Sequence, residues 1–136
     1  MDNFAFHHVG VAVHRLDEAI PKFKSLFGYA VSHGPFDDPI QNVSVVFLSR
    51  GEGDPLLELV APLGPNSPVD RTLKRGGGTY HVCYEVPDLE AAIGHLVARD
   101  SMVVSPPAPA VAFAMRPIAW VMTEPGLLVE LVEGPK

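Results

Sequence analysis

The sequence predicts an α+β fold in which two βαβββ modules form a cupped mixed sheet. The first supporting observation is a repeat: the segment HVGVAVHRLDEAI begins at His8, and the similar segment HVCYEVPDLEAAI begins at His81. The second is that each copy ends in a leucine-rich stretch around a glutamate, LLELV with Glu58 and LVELV with Glu130. The third is the nearly equal spacing between histidine and glutamate in the two copies, which indicates an internal duplication.

The first copy has the pattern of a strand, a helix and three further strands. Residues 4–13 are rich in β-branched and aromatic side chains, which favours a strand. Residues 16–27 carry apolar side chains at helical spacing, with Pro21 as a point of strain and Gly28 as the end of the helix. Apolar stretches bounded by turn residues then predict three strands, near 29–34, 42–49 and 56–61. The segment VDRTLKR predicts one or two helical turns before the second copy.

The second copy repeats this order. A strand is predicted over 79–86, followed by a helix over 88–99 whose N-cap is Asp88. Three strands follow, near 101–105, 116–123 and 127–133. The proline-rich segment SPPAPA at 105–110 is predicted to be a loop. Since each module needs its twin to bury one face of its sheet, we expect a single domain, 1–136, with modules 1–75 and 76–136.

Composition excludes several classes of protein. The chain has 136 residues, 47% of them hydrophobic and 19% charged, which is typical of a globular domain with its own core. Its formal net charge of -6 argues against a nucleic-acid or anionic-membrane partner. No apolar run reaches transmembrane length, and the first residues do not resemble a secretory signal. With Cys83 as the single cysteine there is no disulfide framework, so we expect a cytoplasmic protein.

The repeated histidines and glutamates predict a metal site. Side chains alternate between the two faces of a strand, so His8 is expected to share a face with Phe6 and Gly10, with His7 on the other face. A glutamate inside an apolar strand is costly unless it is paired or binds a metal. Two imidazoles and two carboxylates form a mixed nitrogen and oxygen ligand set for a divalent ion. The expected ligands are His8, Glu58, His81 and Glu130.

Such a site favours a specific chemistry. An octahedral ion with four protein ligands keeps two adjacent positions, which suit a substrate with two oxygens in 1,2 or 1,3 relation. The ion would polarise the substrate carbonyl, acidify the neighbouring C–H and stabilise the resulting enolate. Removal and return of that proton on opposite faces is epimerisation, which needs no redox metal.

Several segments together resemble the vicinal-oxygen-chelate superfamily, which includes glyoxalase I, extradiol dioxygenases and bleomycin-resistance proteins. They are HHVGVAV, LDEAI, QNVSVVFLSRG, LLELVAPLGPNSPV, YHVCYEVPDLEAAI and GLLVELVE. Within the superfamily the chain is most similar to methylmalonyl-CoA epimerases. The resemblance implies the same four ligands, one divalent ion (cobalt, manganese, nickel or zinc), an acyl-CoA or other acyl-thioester substrate, and a homodimer.

The same resemblance directs attention to the general base and the substrate pocket. Some bacterial epimerases carry a glutamate where this chain has Val45, and Phe47 shares the face of Val45, so both are expected to contact substrate. A ligand glutamate is then the expected base, Glu130 first and Glu58 second. Arg116 stands where related proteins often have a basic residue and is a candidate for a substrate carboxylate or phosphate. The Gly-rich turn of the epimerases is replaced by the bulkier AVAFAMRPIAW.

Three other functions use the same fold. A glyoxalase-type lyase acting on a thiol adduct would use the same four ligands, so only turnover separates it from an epimerase. An extradiol dioxygenase would need iron and usually three protein ligands, and the fourth ligand counts against it. A metal-free binding or resistance protein would normally have lost the ligands, so bound metal would discriminate against it.

Overall fold

The computed structural model describes residues 3–124 and 126–135. Its strands in chain order are β1 (Ala5–Ala12), β2 (Ala30–Asp38), β3 (Val43–Ser49), β4 (Leu56–Pro62), β5 (Gly78–Val86), β6 (Met102–Pro109), β7 (Pro117–Thr123) and β8 (Leu127–Glu133). Its helices are α1 (Leu16–Phe27), α2 (Asp70–Lys74) and α3 (Leu89–Val97), with a 3-10 turn at Val111–Phe113. The predicted order β-α-β-β-β therefore occurs twice. None of the helices in the described residues combines the length and apolar character that a membrane span requires.

The chain forms two compact units. The first unit is His8–Tyr80, and the second contains the residues up to His7 together with those from His81 onwards. The strand order is β2-β3-β4-β1 in the first unit and β6-β7-β8-β5 in the second. In each, the first strand of the repeat pairs in parallel with the last, while the other neighbours are antiparallel. Each unit thus carries one histidine and one glutamate of the repeat; the single domain with modules 1–75 and 76–136 stays a prediction.

Each unit buries a helix against alternate residues of its strands. In the first unit, the core comprises one residue of α1 and four of β3 and β4: Ala19, Val46, Leu48, Leu57 and Leu59. In the second, Leu89 and Ala92 of α3 pack with Val121, Val129 and Leu131, among others. Because strand side chains alternate, the residues between these core positions lie on the other face of the strand. Packing against the helices therefore places Glu58 and Glu130 on the face opposite the helix.

Local signals explain where the helices begin and end. Gly28 adopts a left-handed φ of 79°, and its N–H donates to the carbonyl oxygen of Lys24 at 2.9 Å, which closes α1. The predicted N-cap Asp88 is confirmed, since its Oδ1 accepts from the N–H of Ala91 at 3.0 Å. Helix α3 ends at Val97, two residues before the predicted end, since the following backbone forms tighter turns.

The predicted loop SPPAPA at 105–110 is wrong in most of its length, because β6 continues to Pro109. Strand β6 lies at the end of the strand order and pairs with β7 through an irregular register. A proline lacks an N–H to donate, which an edge strand tolerates because one of its edges needs no ladder partner. Strand β2 also extends beyond its predicted end, through Pro35 to Asp38, and it too lies at an end of the order.

Asn42 joins the turn between β2 and β3 to the loop that follows β4. Its φ of 58° lies in the left-handed region, which asparagine tolerates better than most residues. Its Nδ2 donates to the carbonyl oxygen of Pro65 at 2.9 Å, and its Oδ1 accepts from the N–H of Gly64 at 3.0 Å. The hydroxyl of Ser67 also donates to the Asn42 carbonyl at 2.8 Å. These bonds connect the start of β3 to the end of β4.

Replacing Asn42 separates the two contributions to this junction. We expect Asn42→Ala to lower the free energy of unfolding by about 2–4 kcal/mol, because it removes two hydrogen bonds and places alanine in the left-handed region. Asn42→Gly loses the same bonds without the strain and should cost about 1–2 kcal/mol. Urea unfolding of both variants measures the difference. If both variants lose the same free energy of unfolding, the left-handed backbone at residue 42 does not strain alanine. If neither variant loses stability, the hydrogen bonds of Asn42 do not stabilise the junction.

Candidate functional site

His8 and Glu58 form a buried pair in the first unit. His8 lies on β1 with none of its surface exposed, and Glu58 on β4 is 4% exposed. The parallel register sets Glu58 opposite Gly10, two residues beyond His8, so the two side chains share one face. His8 Nε2 and Glu58 Oε1 are 3.3 Å apart. A buried carboxylate therefore faces a ring nitrogen within an otherwise apolar sheet.

The second unit repeats this arrangement with His81 and Glu130. His81 lies on β5 and Glu130 on β8, and both are buried. Here the residue opposite the glutamate is Cys83, again two positions beyond the histidine. His81 Nε2 and Glu130 Oε1 are 3.2 Å apart. The duplication seen in the sequence therefore extends to the geometry of each histidine–glutamate pair.

An aromatic ring supports each pair from the neighbouring strand. Phe47 on β3 is opposite Glu58, and its ring contacts that of His8 edge to face, with centroids 5.2 Å apart. Trp120 on β7 is opposite Glu130, and its ring contacts His81 in the same way at 4.8 Å. The sequence pattern led to Phe47 as a site residue and left Trp120, interpreted as core or pocket wall, outside the predicted site. Trp120 precedes Glu130 by nearly the same number of residues as Phe47 precedes Glu58. That shared spacing was the signal that could have identified Trp120.

Both pairs fit the ligand geometry of a divalent ion. Two ligands at right angles, each about 2.1 Å from an ion, lie about 3 Å apart, which is close to both observed separations. Imidazole nitrogen with carboxylate oxygen suits cobalt, manganese, nickel and zinc. All four side chains are buried and offer metal-ligating atoms. Each unit thus supplies one nitrogen and one oxygen donor.

The alternation of side chains on β1 holds from His8 to Ala12. His8, Gly10 and Ala12 are buried on one face, whereas Val9 and neighbouring odd-numbered residues pack with the α1 core. The placement of Phe6 on the face of His8 stays a prediction; Phe6 is 50% exposed, and its ring contacts that of Tyr84 with centroids 5.9 Å apart.

Strand β3 presents an apolar surface beside the first pair. Val45 is 5% exposed and Phe47 is 3% exposed, and both lie on the face that carries Glu58. The strand sequence VSVVFLS contains no carboxylate. The assignment of Val45 and Phe47 to substrate binding stays a prediction, and the apolar character of this surface suits the hydrocarbon part of an acyl group.

Arg116 has protein partners within the second unit. Its Nη1 donates to Glu85 Oε2 at 3.2 Å and to the carbonyl oxygen of Glu133 at 3.1 Å, and its Nε donates to the carbonyl oxygen of Phe113. These bonds hold the turn before β7, in which Ala114 and Met115 adopt left-handed φ angles of 53° and 67°. The assignment of Arg116 to substrate binding stays a prediction.

Known proteins share the sequence pattern and the fold of this chain. A family model described as Glyoxalase/Bleomycin resistance protein/Dioxygenase superfamily matches residues 7–120. The mitochondrial methylmalonyl-CoA epimerase of Dictyostelium discoideum is 32% identical over 131 residues, which cover 93% of this chain and 76% of the relative. The ethylmalonyl-CoA/methylmalonyl-CoA epimerase of Cereibacter sphaeroides is 32% identical over 129 residues, which cover 92% of this chain and 94% of the relative.

A solved structure is similar over the same extent. The crystal structure of methylmalonyl-CoA epimerase from Mycobacterium tuberculosis matches with a TM-score of 0.82 and 27% sequence identity, covering 97% of this chain and 89% of that one. The predicted fold class, with paired βαβββ modules of the vicinal-oxygen-chelate type, is confirmed. The chain therefore belongs to the glyoxalase/bleomycin resistance protein/dioxygenase superfamily and, within it, to the methylmalonyl-CoA epimerases, a family of isomerases.

Proposed function

We propose that this protein is a divalent-metal-dependent epimerase of a malonyl-type acyl-thioester, and that His8, Glu58, His81 and Glu130 hold its metal. The observation that carries the proposal is the matched geometry of the two buried pairs, with separations of 3.3 Å and 3.2 Å. Relatives named as epimerases of methylmalonyl-CoA and ethylmalonyl-CoA support the substrate class. One ion per chain is expected, chosen from cobalt, manganese, nickel and zinc.

Different side chains have different roles in the proposed reaction. A divalent ion held by the four ligands would polarise the substrate carbonyl and acidify the adjacent C–H. Val45 and Phe47 provide an apolar surface that excludes water from the acyl group. A carboxylate on one face would then take the proton from the α-carbon, and an acid on the opposite face, in exchange with solvent, would deliver the proton that completes the inversion.

The proposed base is a glutamate of the ligand set. Strand β3, which carries Val45 and Phe47, has no carboxylate. The candidates for the base are therefore the glutamates of the two histidine–glutamate pairs. Glu130 is the first choice and Glu58 the second. In either residue, the proton would be accepted by a carboxylate oxygen, in the manner of a general base held within reach of the reacting carbon.

Other parts of the proposal concern the partners of the chain. Arg116 is retained as a contact for the carboxylate or phosphate of the substrate, which would require it to share or exchange its bond with Glu85. The substrate is a small molecule, an acyl-CoA or a related thioester, as the names of the relatives suggest. A homodimer and a cytoplasmic location stay predictions.

Solvent exchange tests this function directly. Metal-loaded protein, incubated without oxygen in deuterated water, should introduce deuterium at the α-carbon of methylmalonyl-CoA or ethylmalonyl-CoA, because epimerisation breaks and remakes that C–H bond. Mass spectrometry of the recovered thioester measures the incorporation. Absence of exchange across acyl-CoAs and hemithioacetals, with metal fully loaded, would reject the isomerase. Turnover of a hemithioacetal alone would identify a glyoxalase-type lyase instead.

A further inference from the structure

A row of side chains crosses the first unit from its outer strand to its glutamate. The register sets His33 of β2 opposite Phe47 of β3, and Phe47 opposite Glu58 of β4. Residues directly opposite one another project from the same face of a sheet. The His33 ring meets the Phe47 ring edge to face, with centroids 6.2 Å apart and planes at 87°. His33 therefore lies on the face that carries the histidine–glutamate pair, on the far side of Phe47.

The second unit has the same row with a different outer residue. Ser105 of β6 is opposite Trp120 of β7, and Trp120 is opposite Glu130 of β8. The inner positions of the two rows match in kind, an aromatic ring followed by a glutamate. The outer position is an imidazole in the first unit and a hydroxyl in the second. His33 is thus the position at which two otherwise equivalent rows differ in chemistry.

The ring of His33 is oriented by its neighbour. Ser32 Oγ lies 2.8 Å from His33 Nδ1, within hydrogen-bond distance. When the hydroxyl donates to Nδ1, the neutral ring carries its proton on Nε2, and Nε2–H becomes the donor for a ligand. His33 is exposed. The adjacent surface of β3 offers Val45 and Phe47, which cannot donate a hydrogen bond.

We propose that His33 contacts the substrate, its Nε2–H donating to an oxygen of the acyl-thioester on the side of Phe47 away from Glu58. The proposal rests on the proposed epimerase function. A malonyl-type acyl-CoA has oxygen acceptors in two places, the carboxylate of the acyl group and the amide and phosphate oxygens of its carrier. Both are anionic or strongly polarised, so an imidazole N–H suits either of them. His33 would then favour thioesters that place an oxygen acceptor beside the apolar surface of Val45 and Phe47.

Three variants test this role. His33→Ala should raise KM and the dissociation constant for methylmalonyl-CoA by about 10- to 100-fold, the effect of losing a hydrogen bond to a charged acceptor. Metal content and kcat should stay within about twofold. His33→Gln keeps an N–H donor and should recover part of the affinity. The control His14→Ala removes another exposed histidine of the same unit and should leave KM unchanged.

Two substrates locate the acceptor. The same acyl group on N-acetylcysteamine lacks the phosphates of coenzyme A. If the defect of His33→Ala persists with this short thioester, the acceptor is on the acyl group or on the amide nearest the sulfur. If the defect disappears, the acceptor is on the part of coenzyme A that N-acetylcysteamine lacks. Both results support the contact. An unchanged KM and dissociation constant for both thioesters would overturn it. So would equal defects in His33→Ala and His33→Gln accompanied by a lower melting temperature, which would indicate a structural role.

Failure of this inference is distinguishable from failure of the epimerase function. If the wild-type protein shows no deuterium exchange, the function fails while calorimetric binding of methylmalonyl-CoA still compares wild type with His33→Ala. Equal binding by the two proteins would then reject the contact as well. Normal exchange by wild type together with unchanged binding by His33→Ala would reject the contact alone.

Discussion

Replacing Glu130 by glutamine is expected to reduce α-hydrogen exchange by a factor on the order of 100 to 10,000, while a measurable fraction of the metal affinity remains. The amide oxygen of glutamine can still coordinate a divalent ion, but the amide is no base near neutral pH. The substitution changes few atoms, so the strand pairing of Glu130 with Trp120 and Cys83 should persist. Deuterium incorporation and metal titration on the same preparation measure the two effects separately.

Glu58→Gln is the matched control for this prediction. The two glutamates occupy equivalent positions opposite an aromatic residue, so the two substitutions disturb their surroundings in the same way. We expect the larger loss of exchange in Glu130→Gln. If Glu130→Gln exchanges at the wild-type rate and Glu58→Gln does not, the base is Glu58. Full exchange in both variants would remove the ligand glutamates from this role.

His8→Ala is expected to abolish tight metal binding, whereas His7→Ala should retain it. The Nε2 atom of His8 lies 3.3 Å from Glu58, in the geometry of two ligands of one ion. The ring of His7 instead packs on Phe113, with centroids 5.2 Å apart. Titration with cobalt, manganese, nickel and zinc, supported by elemental analysis, measures the difference. The reverse result would mean that the ligand is the other histidine of this adjacent pair.

Loss of metal should also be visible in stability. A ligand that binds only the folded state, present at 100 times its dissociation constant, contributes about 2.7 kcal/mol to the free energy of unfolding. Wild-type protein and His7→Ala should therefore gain stability on adding metal, and His8→Ala should not. An equal gain in His8→Ala would show that the ion binds elsewhere on the chain.

Most of the element order is readable from local patterns. The helical spacing of apolar residues and Gly28 mark α1, and Asp88 marks the beginning of α3, because caps and helical periodicity involve residues close in sequence. The leucines around Glu58 predict a strand with a glutamate on the opposite face. The prolines at 106–107 led to the wrong prediction of a loop, although β6 continues through them. A local pattern does not reveal that β6 lies at an edge of the sheet, where proline is tolerated.

The sequence by itself determined the duplication, the βαβββ order of each half and the presence of one histidine and one glutamate in each. These features depend on residue type and on the two-residue period of a strand, which are properties of short segments. Only the tertiary structure decided which side chains stand opposite one another across strands. The equivalence of Trp120 with Phe47, the row from His33 to Glu58 and the bond of Arg116 to Glu85 all join residues distant in sequence. Strand register depends on how the strands hydrogen-bond and pack against a helix, which no single segment encodes.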